Sequence, residues 1–94
     1  MELLSISQIN ESLGKLSDWD LEDGGKLIIK KFKFKDFKEA IDFVNKVSEI
    51  AETEQHHPDI RIYDYNNVEI KLTTHSAKGL TEKDFKVASK IDKL

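Results

Sequence analysis

The chain contains no cysteine. No disulfide can staple the fold and no thiolate can hold zinc. Glycine is scarce: Gly14, Gly24, Gly25 and Gly79 are scattered and form neither a phosphate-cradling loop nor a dinucleotide fingerprint. No run of about 18 apolar residues occurs, so no segment is expected to span a membrane. The opening residues, Met1 to Ile6, have no basic region and no long apolar run. A secretory signal is therefore not expected, and a cytoplasmic location is. Basic charge is not in excess either. Fifteen Lys+Arg against eighteen Asp+Glu leave a net charge of −3. Nucleic-acid binding through bulk charge needs the opposite balance and is not expected. Repeats and low-complexity segments are absent.

What remains is 94 residues, 38% hydrophobic and 35% charged, which fits a single domain over residues 1–94 with a small core. With no disulfide to help, self-association is the route to more buried surface, so a homodimer or homotetramer is expected.

The apolar pattern gives the order of elements. Ile6, Ile9, Leu13 and Leu16 recur at helical steps, which predicts a helix over Ser5–Leu16. A short strand over Asp18–Asp23 carries Trp19 and Leu21. Gly24-Gly25 reads as a hairpin turn, and Lys26–Lys35 as the returning strand. Asp36 can cap a long helix to Glu54, with Glu39 in the capping-box position. Its apolar stripe is Phe37, Ala40, Ile41, Val44, Val47 and Ala51, widened by Phe43 and Ile50. Pro58 bars any further helix. Ile60–Tyr65 and Val68–Thr74 read as strands joined at Asn66-Asn67. Thr81 caps a last helix to about Lys93, with Asp84 at its third position and Leu80 and Phe85 as a staple. The expected fold is α+β, in the order α-β-β-α-β-β-α: a four-stranded antiparallel sheet with three helices on one face. Lys30, Lys31, Lys33, Lys35 and Lys38 then read as a solvated sheet edge that discourages stray strand pairing.

The chemistry rests on three histidines, His56, His57 and His75. Pairing of the last two strands brings the segment near Ile60 close to Leu72-Thr73, so His57 and His75 are expected to converge at the open end of that hairpin. Three imidazoles suggest a metal, but the helical i, i+4 pair is missing, so none is expected. Two readings stay open on residues alone: surface histidines, or acid–base groups, since imidazole titrates near neutrality.

The run Glu52-x-x-x-His56-His57-Pro58, then Tyr65-Asn66, then Thr73-Thr74-His75-Ser76, then Gly79-Leu80-Thr81-Glu82-Lys83-Asp84 resembles the pterin-4a-carbinolamine dehydratase family. Trp19 and Phe32-Lys33-Phe34-Lys35-Asp36-Phe37 extend the likeness, which covers residues 18 to 92. The resemblance implies dehydration of 4a-hydroxytetrahydropterin (4a-hydroxytetrahydrobiopterin) to quinonoid dihydropterin, with no metal or redox cofactor. It implies catalytic roles for His56, His57, His75 and Asp84. His56 and His75 would exchange protons with the C4a hydroxyl and N5, while His57 holds the pterin. Asp84 would orient a histidine or stabilise its charged form, and the same residue suits a helix cap. Trp19, Glu52, Pro58, Thr74 and Ser76 are the expected substrate-binding residues. Animal members are also transcription-factor dimerisation cofactors, which keeps a binding module as one alternative, with Phe43, Val47 and Ile50 of the long helix as its surface; a relative acting in another pterin pathway is the other. One departure stands out: the interval from Pro58 to Tyr65 is a residue longer than in some members, which suggests a bulge in the third strand.

Overall fold

The computed structural model describes residues 2–94. Its elements run α1 (Ile6–Leu13), β1 (Asp20–Glu22), a 3-10 turn (Asp23–Gly25), β2 (Leu27–Lys33), α2 (Phe37–Glu54), β3 (Asp59–Tyr63), β4 (Asn67–Leu72), a second 3-10 turn (His75–Ala77) and α3 (Glu82–Ile91). This is the expected α-β-β-α-β-β-α order. The strands lie β1-β2-β4-β3, and every pairing is antiparallel.

Alternation builds the core. Val68, Ile70 and Leu72 of β4 are fully buried, and Ile70 and Leu72 stand opposite Lys30 and Ile28 of β2. Each such apolar side chain contributes about 2 kcal/mol by leaving water. The same cluster takes Ile9 from α1, Ala40 and Val47 from α2, and Phe85, Val87, Ala88 and Ile91 from α3. One sheet face thus meets all three helices. The opposite face carries Lys31, Lys33, Arg61, Tyr63, Glu69 and Lys71. There Arg61 reaches Glu69 across the β3–β4 pair at 3.2 Å and lies 4.3 Å over the Tyr63 ring. That guanidinium bond holds the Glu69 carboxyl below the usual range.

Helix starts follow their caps. Ser5 and Gln8 exchange side-chain and backbone bonds at the head of α1. Asp36 Oδ1 accepts from the Glu39 amide at 2.9 Å. Glu39 Oε1, however, accepts from the Lys35 amide instead of the cap residue's own. No helix among the described residues is long and apolar enough to cross a membrane.

The structure revises the sequence reading in four places. The helix predicted to Leu16 ends at Leu13, where Gly14 caps it. The hairpin turn before β4 is not Asn66-Asn67. Tyr63 pairs with Asn67, and Asp64, Tyr65 and Asn66 form the turn, with Asp64 and Tyr65 in left-handed conformations. The bulge expected in β3 is absent: its pairing with β4 runs without a break from Asp59 to Tyr63. Asn66 is buried and satisfied there: its side-chain amide donates to Phe34 O, and its backbone carbonyl accepts from the Phe34 amide. Lastly, β2 is an inner strand and not an edge. Lys30 leaves the solvated set entirely: its ammonium turns to the helix side and meets Asp92 at 2.9 Å.

Candidate active site

The end of α2 decides where the first two histidines go. Gln55 adopts a left-handed conformation (φ 51°). Its amide donates to Glu52 O, and the His56 amide donates to Ala51 O at 3.1 Å. These paired bonds are a Schellman ending, which reverses the chain sharply. The helix therefore stops before Pro58 can intervene. Beyond the turn, His56 and His57 go to different partners. His56 Nε2 lies 2.6 Å from Asp84 Oδ1, and its side chain is 11% exposed. His57 Nε2 lies 2.5 Å from Glu52 Oε2, one turn back on α2, in an exposed pair.

Asp84 is fully buried. A lone buried carboxylate would cost several kcal/mol. Here Oδ1 accepts from His56, while Oδ2 accepts from Thr74 Oγ1 at 2.8 Å and from the Thr81 amide at 2.9 Å. The amino end of α3 adds its positive dipole. Thr74 and Thr81 also share a hydroxyl–hydroxyl bond of 2.8 Å. Asp84 thus serves as cap and as histidine partner at once. An ionised carboxylate only accepts, so a bond to ionised Asp84 calls for the hydrogen on His56 Nε2 and leaves Nδ1 for chemistry.

Thr74 links this network to the third histidine. Its backbone pairs with Gly79 in an isolated bridge, with Thr74 N donating to Gly79 O at 2.9 Å. That bridge closes the loop carrying His75, Ser76, Ala77 and Lys78. With the Thr74 side chain turned inward to Asp84, His75 is exposed at the strand's end. It lines a hollow of about 480 Å³ with Lys26, Asp59, Lys71, Thr73 and Lys78. Thr73 fixes one wall, since its hydroxyl donates to Lys26 O at 2.6 Å. No hydrogen bond joins His75 to His56 or His57 among the described residues. The hollow instead reaches β3 at Asp59, two positions past His57.

The remaining expected residues divide. Glu52 is beside His57, Thr74 is in the Asp84 network, and Pro58 is half-buried at the start of β3. Ser76 is exposed next to His75. Trp19 stands apart: it is 7% exposed, and its Nε1 donates to Asp92 Oδ1 at 2.9 Å. Asp92 follows the carboxyl end of α3, whereas Asp84 begins that helix. Lys26, Lys71 and Lys78 beside His75 were not anticipated. The β3–β4 register carries a signal for one of them, because it sets Lys71 opposite Asp59.

Two carboxylates brace the elements around the site. Hydrogen bonding from Lys90, aided by Lys86, holds the Glu54 carboxyl below the usual range and ties the end of α2 to α3. Burial pushes Asp92 up, but the Ser17 amide, Lys30 and Trp19 together hold it below an ordinary aspartate. Among the described residues no group of three or more His, Cys, Asp and Glu side chains could hold a metal ion.

The model of the family described as pterin 4 alpha carbinolamine dehydratase matches residues 2–94. A protein of Sulfurisphaera tokodaii, provisionally named pterin-4-alpha-carbinolamine dehydratase, is 49% identical over 94 residues, covering 100% of this chain and 98% of that one. A protein of the same provisional name from Trichodesmium erythraeum is 53% identical over 93 residues, covering 99% of this chain and 97% of its own. Among solved structures, the transcriptional coactivator/pterin dehydratase of Brucella melitensis matches with a TM-score of 0.88 at 41% identity, over 96% of this chain and 95% of that one. A pterin dehydratase-like RuBisCO assembly factor of the alpha-carboxysome shares the fold, with a TM-score of 0.69 at 20% identity over 84% of this chain and 90% of its own.

Proposed function

The chain belongs to the pterin 4 alpha carbinolamine dehydratase family, and from that premise we propose that it dehydrates 4a-hydroxytetrahydropterin to quinonoid dihydropterin, in tetrahydrobiopterin recycling. The observation that carries the reading is the Asp84 carboxylate. It holds His56 directly and, through Thr74, holds the strand end that presents His75.

The reaction needs a proton given and a proton taken. The C4a–O bond breaks as the hydroxyl accepts a proton and leaves as water. The N5 proton passes to a base, and the freed electron pair closes the C4a–N5 double bond. Nothing is oxidised or reduced, so no cofactor is required. His56 and His75 are the proton-exchanging pair. With Nε2 of His56 bound to Asp84, its Nδ1 is the working atom, and Asp84 faces the charge that protonation places on the ring. His57, set by Glu52, positions the pterin. Thr74 and Asp84 are positioning residues for the loop and ring, and Pro58 and Ser76 border the substrate. Acid–base groups of this kind contribute about 10²–10⁴-fold. The acting form is a cytoplasmic homodimer or homotetramer.

A second reading is a binding module of the transcription-cofactor kind, working through α2. It is favoured by Phe37, which is 53% exposed on that helix. Two other anchors weaken it. Val47 is fully buried, and Phe43 packs against Phe32 and Phe34 with ring centroids 4.6 and 4.9 Å away.

The test is a dehydration assay. A hydroxylase generates 4a-hydroxytetrahydropterin, and quinonoid dihydropterin is followed by absorbance. Acceleration above the spontaneous rate that disappears in His56→Ala or His75→Ala supports the enzyme. A folded protein that gives no acceleration removes that reading and favours the binding module or a different pterin.

A further inference from the structure

The hollow beside His75 holds more positive charge than the proton transfers need. Lys26, Lys71 and Lys78 line it, against two carboxylates, Asp23 and Asp59. Lys71 is engaged with Glu69 at 3.9 Å. Among the described residues, Lys26 and Lys78 make no ion pair. Both lysines also border a second hollow of about 380 Å³, apolar on its far walls at Leu3, Ile6 and Leu21. They therefore stand at the passage between the histidine hollow and a greasy annex.

The backbone agrees. Lys78 closes the His75 turn at φ 59°, ψ 38°, a left-handed conformation that a glycine would adopt freely. The chain places a lysine at that strained position, with glycine only at the next residue. Lys26 is fixed by its own carbonyl, which accepts the Thr73 hydroxyl bond. Both lysines are thus anchored by their backbones at the same rim as His75, and both are exposed there.

Building on the dehydratase reading, we infer that this site selects a pterin whose C6 substituent ends in an anion, a carboxylate or a phosphate monoester, and that Lys26 and Lys78 are the specificity residues. The pterin ring lies by the histidines. The substituent runs along the rim past Lys26 and Lys78, with its apolar part against Leu21. A substituent with only neutral hydroxyls leaves both lysines without a counter-ion.

Two measurements test this. The first compares kcat/KM for three 4a-hydroxytetrahydropterins that differ only at C6: neutral dihydroxypropyl, carboxylate-ended and phosphate-ended. Two solvent-accessible ion pairs predict a preference of about tenfold for an anionic substrate at low ionic strength, shrinking as salt is added. In Lys26→Gln/Lys78→Gln the ratio of anionic to neutral should fall to about one, and Lys26→Arg/Lys78→Arg should keep it. A structural defect lowers both substrates together and leaves the ratio. The second measures Kd by fluorescence for stable dihydropterins with the same three substituents, and needs no turnover. Equal kcat/KM and equal Kd across the three overturn the inference and leave the dehydratase intact. A preference that survives the glutamine variant overturns it too. Selective anionic binding without turnover supports the inference and overturns the dehydratase reading. No binding of any pterin overturns both. Carboxylate against phosphate names which anion the site takes.

Discussion

His56 Nε2 and Asp84 Oδ1 lie 2.6 Å apart, although 28 positions separate the residues, and the carboxylate is fully buried. With Asp84 ionised, the pair places the imidazole hydrogen on Nε2. Asp84→Asn tests it at almost constant volume. The Thr81 amide still needs an acceptor, so the asparagine oxygen takes the Oδ2 place and its NH₂ faces His56. His56 must then accept at Nε2 and carry its hydrogen on Nδ1, the wrong tautomer for the proposed chemistry. We expect kcat to fall about 10²-fold with a much smaller change in KM. Stability should drop by about 1–2 kcal/mol as the charge-assisted bonds weaken. Unchanged kcat at full folding would show that the tautomer does not matter.

The two proton-exchanging histidines should differ in what they do for stability. His75 is exposed and holds no side-chain bond among the described residues, so His75→Ala should slow turnover by about 10²-fold and shift stability by no more than about 0.5 kcal/mol. His56→Ala removes one of the donors to a buried carboxylate and should cost about 1–3 kcal/mol as well as activity. Paired urea melts and steady-state assays separate the cases. Equal destabilisation by the two would contradict the assigned positions.

Legibility of the fold followed sequence distance. The start of α3 was readable because Thr81 and Asp84 stand three apart, the span of one capping turn. The helical stripe of α2 and the alternation of Val68, Ile70 and Leu72 were equally local. Asn66-Asn67 tolerates positive φ on its own and so draws the turn in the sequence, whereas in the structure Asp64 and Tyr65 adopt it and the Asn66 side chain is anchored to Phe34, 32 positions away. For the site, spacing gave the histidines, and the capping position gave Asp84. The bond from Trp19 to Asp92 spans 73 positions, and that from Thr73 to Lys26 spans 47. Pairings that distant leave no periodic trace, so neither Trp19's placement away from the histidines nor the lysines around His75 was visible.

Acid should act in part through Asp92, beside Glu54 and Glu69. The Asp92 carboxyl accepts from the Ser17 amide, Lys30 and the Trp19 indole, and those bonds outweigh burial and hold it below an ordinary aspartate. A carboxylate lowered in the folded state contributes stability above its unfolded value of about 3.9 and loses it as pH falls through the folded value. Stability should therefore decline steeply below about pH 4. Asp92→Asn should be less stable by about 2 kcal/mol at pH 7, since Lys30 loses its counter-ion. The variant's acid limb should be shallower. Melts of both proteins from neutral to acid pH test this; parallel curves would exclude Asp92 as one of the titrating groups.

Tyr65 offers the opposite sign. It sits at φ 54° in the β3–β4 turn and is 61% exposed, so its ring gains little from packing. A β-carbon in that region crowds the following carbonyl, a cost glycine escapes. Glycine also loses more chain entropy on folding, which takes back part of the gain. The balance favours Tyr65→Gly by about 0.5 kcal/mol, because a glycine directly after Asp64 makes the aspartate–glycine pair that tight hairpins prefer. The turn lies at the end of the hairpin away from His56 and His75, so dehydration kinetics should not change while the thermal midpoint rises. A lower midpoint would mean that the entropy lost by glycine, or a packing role of the Tyr65 ring, outweighs the relief of the left-handed backbone.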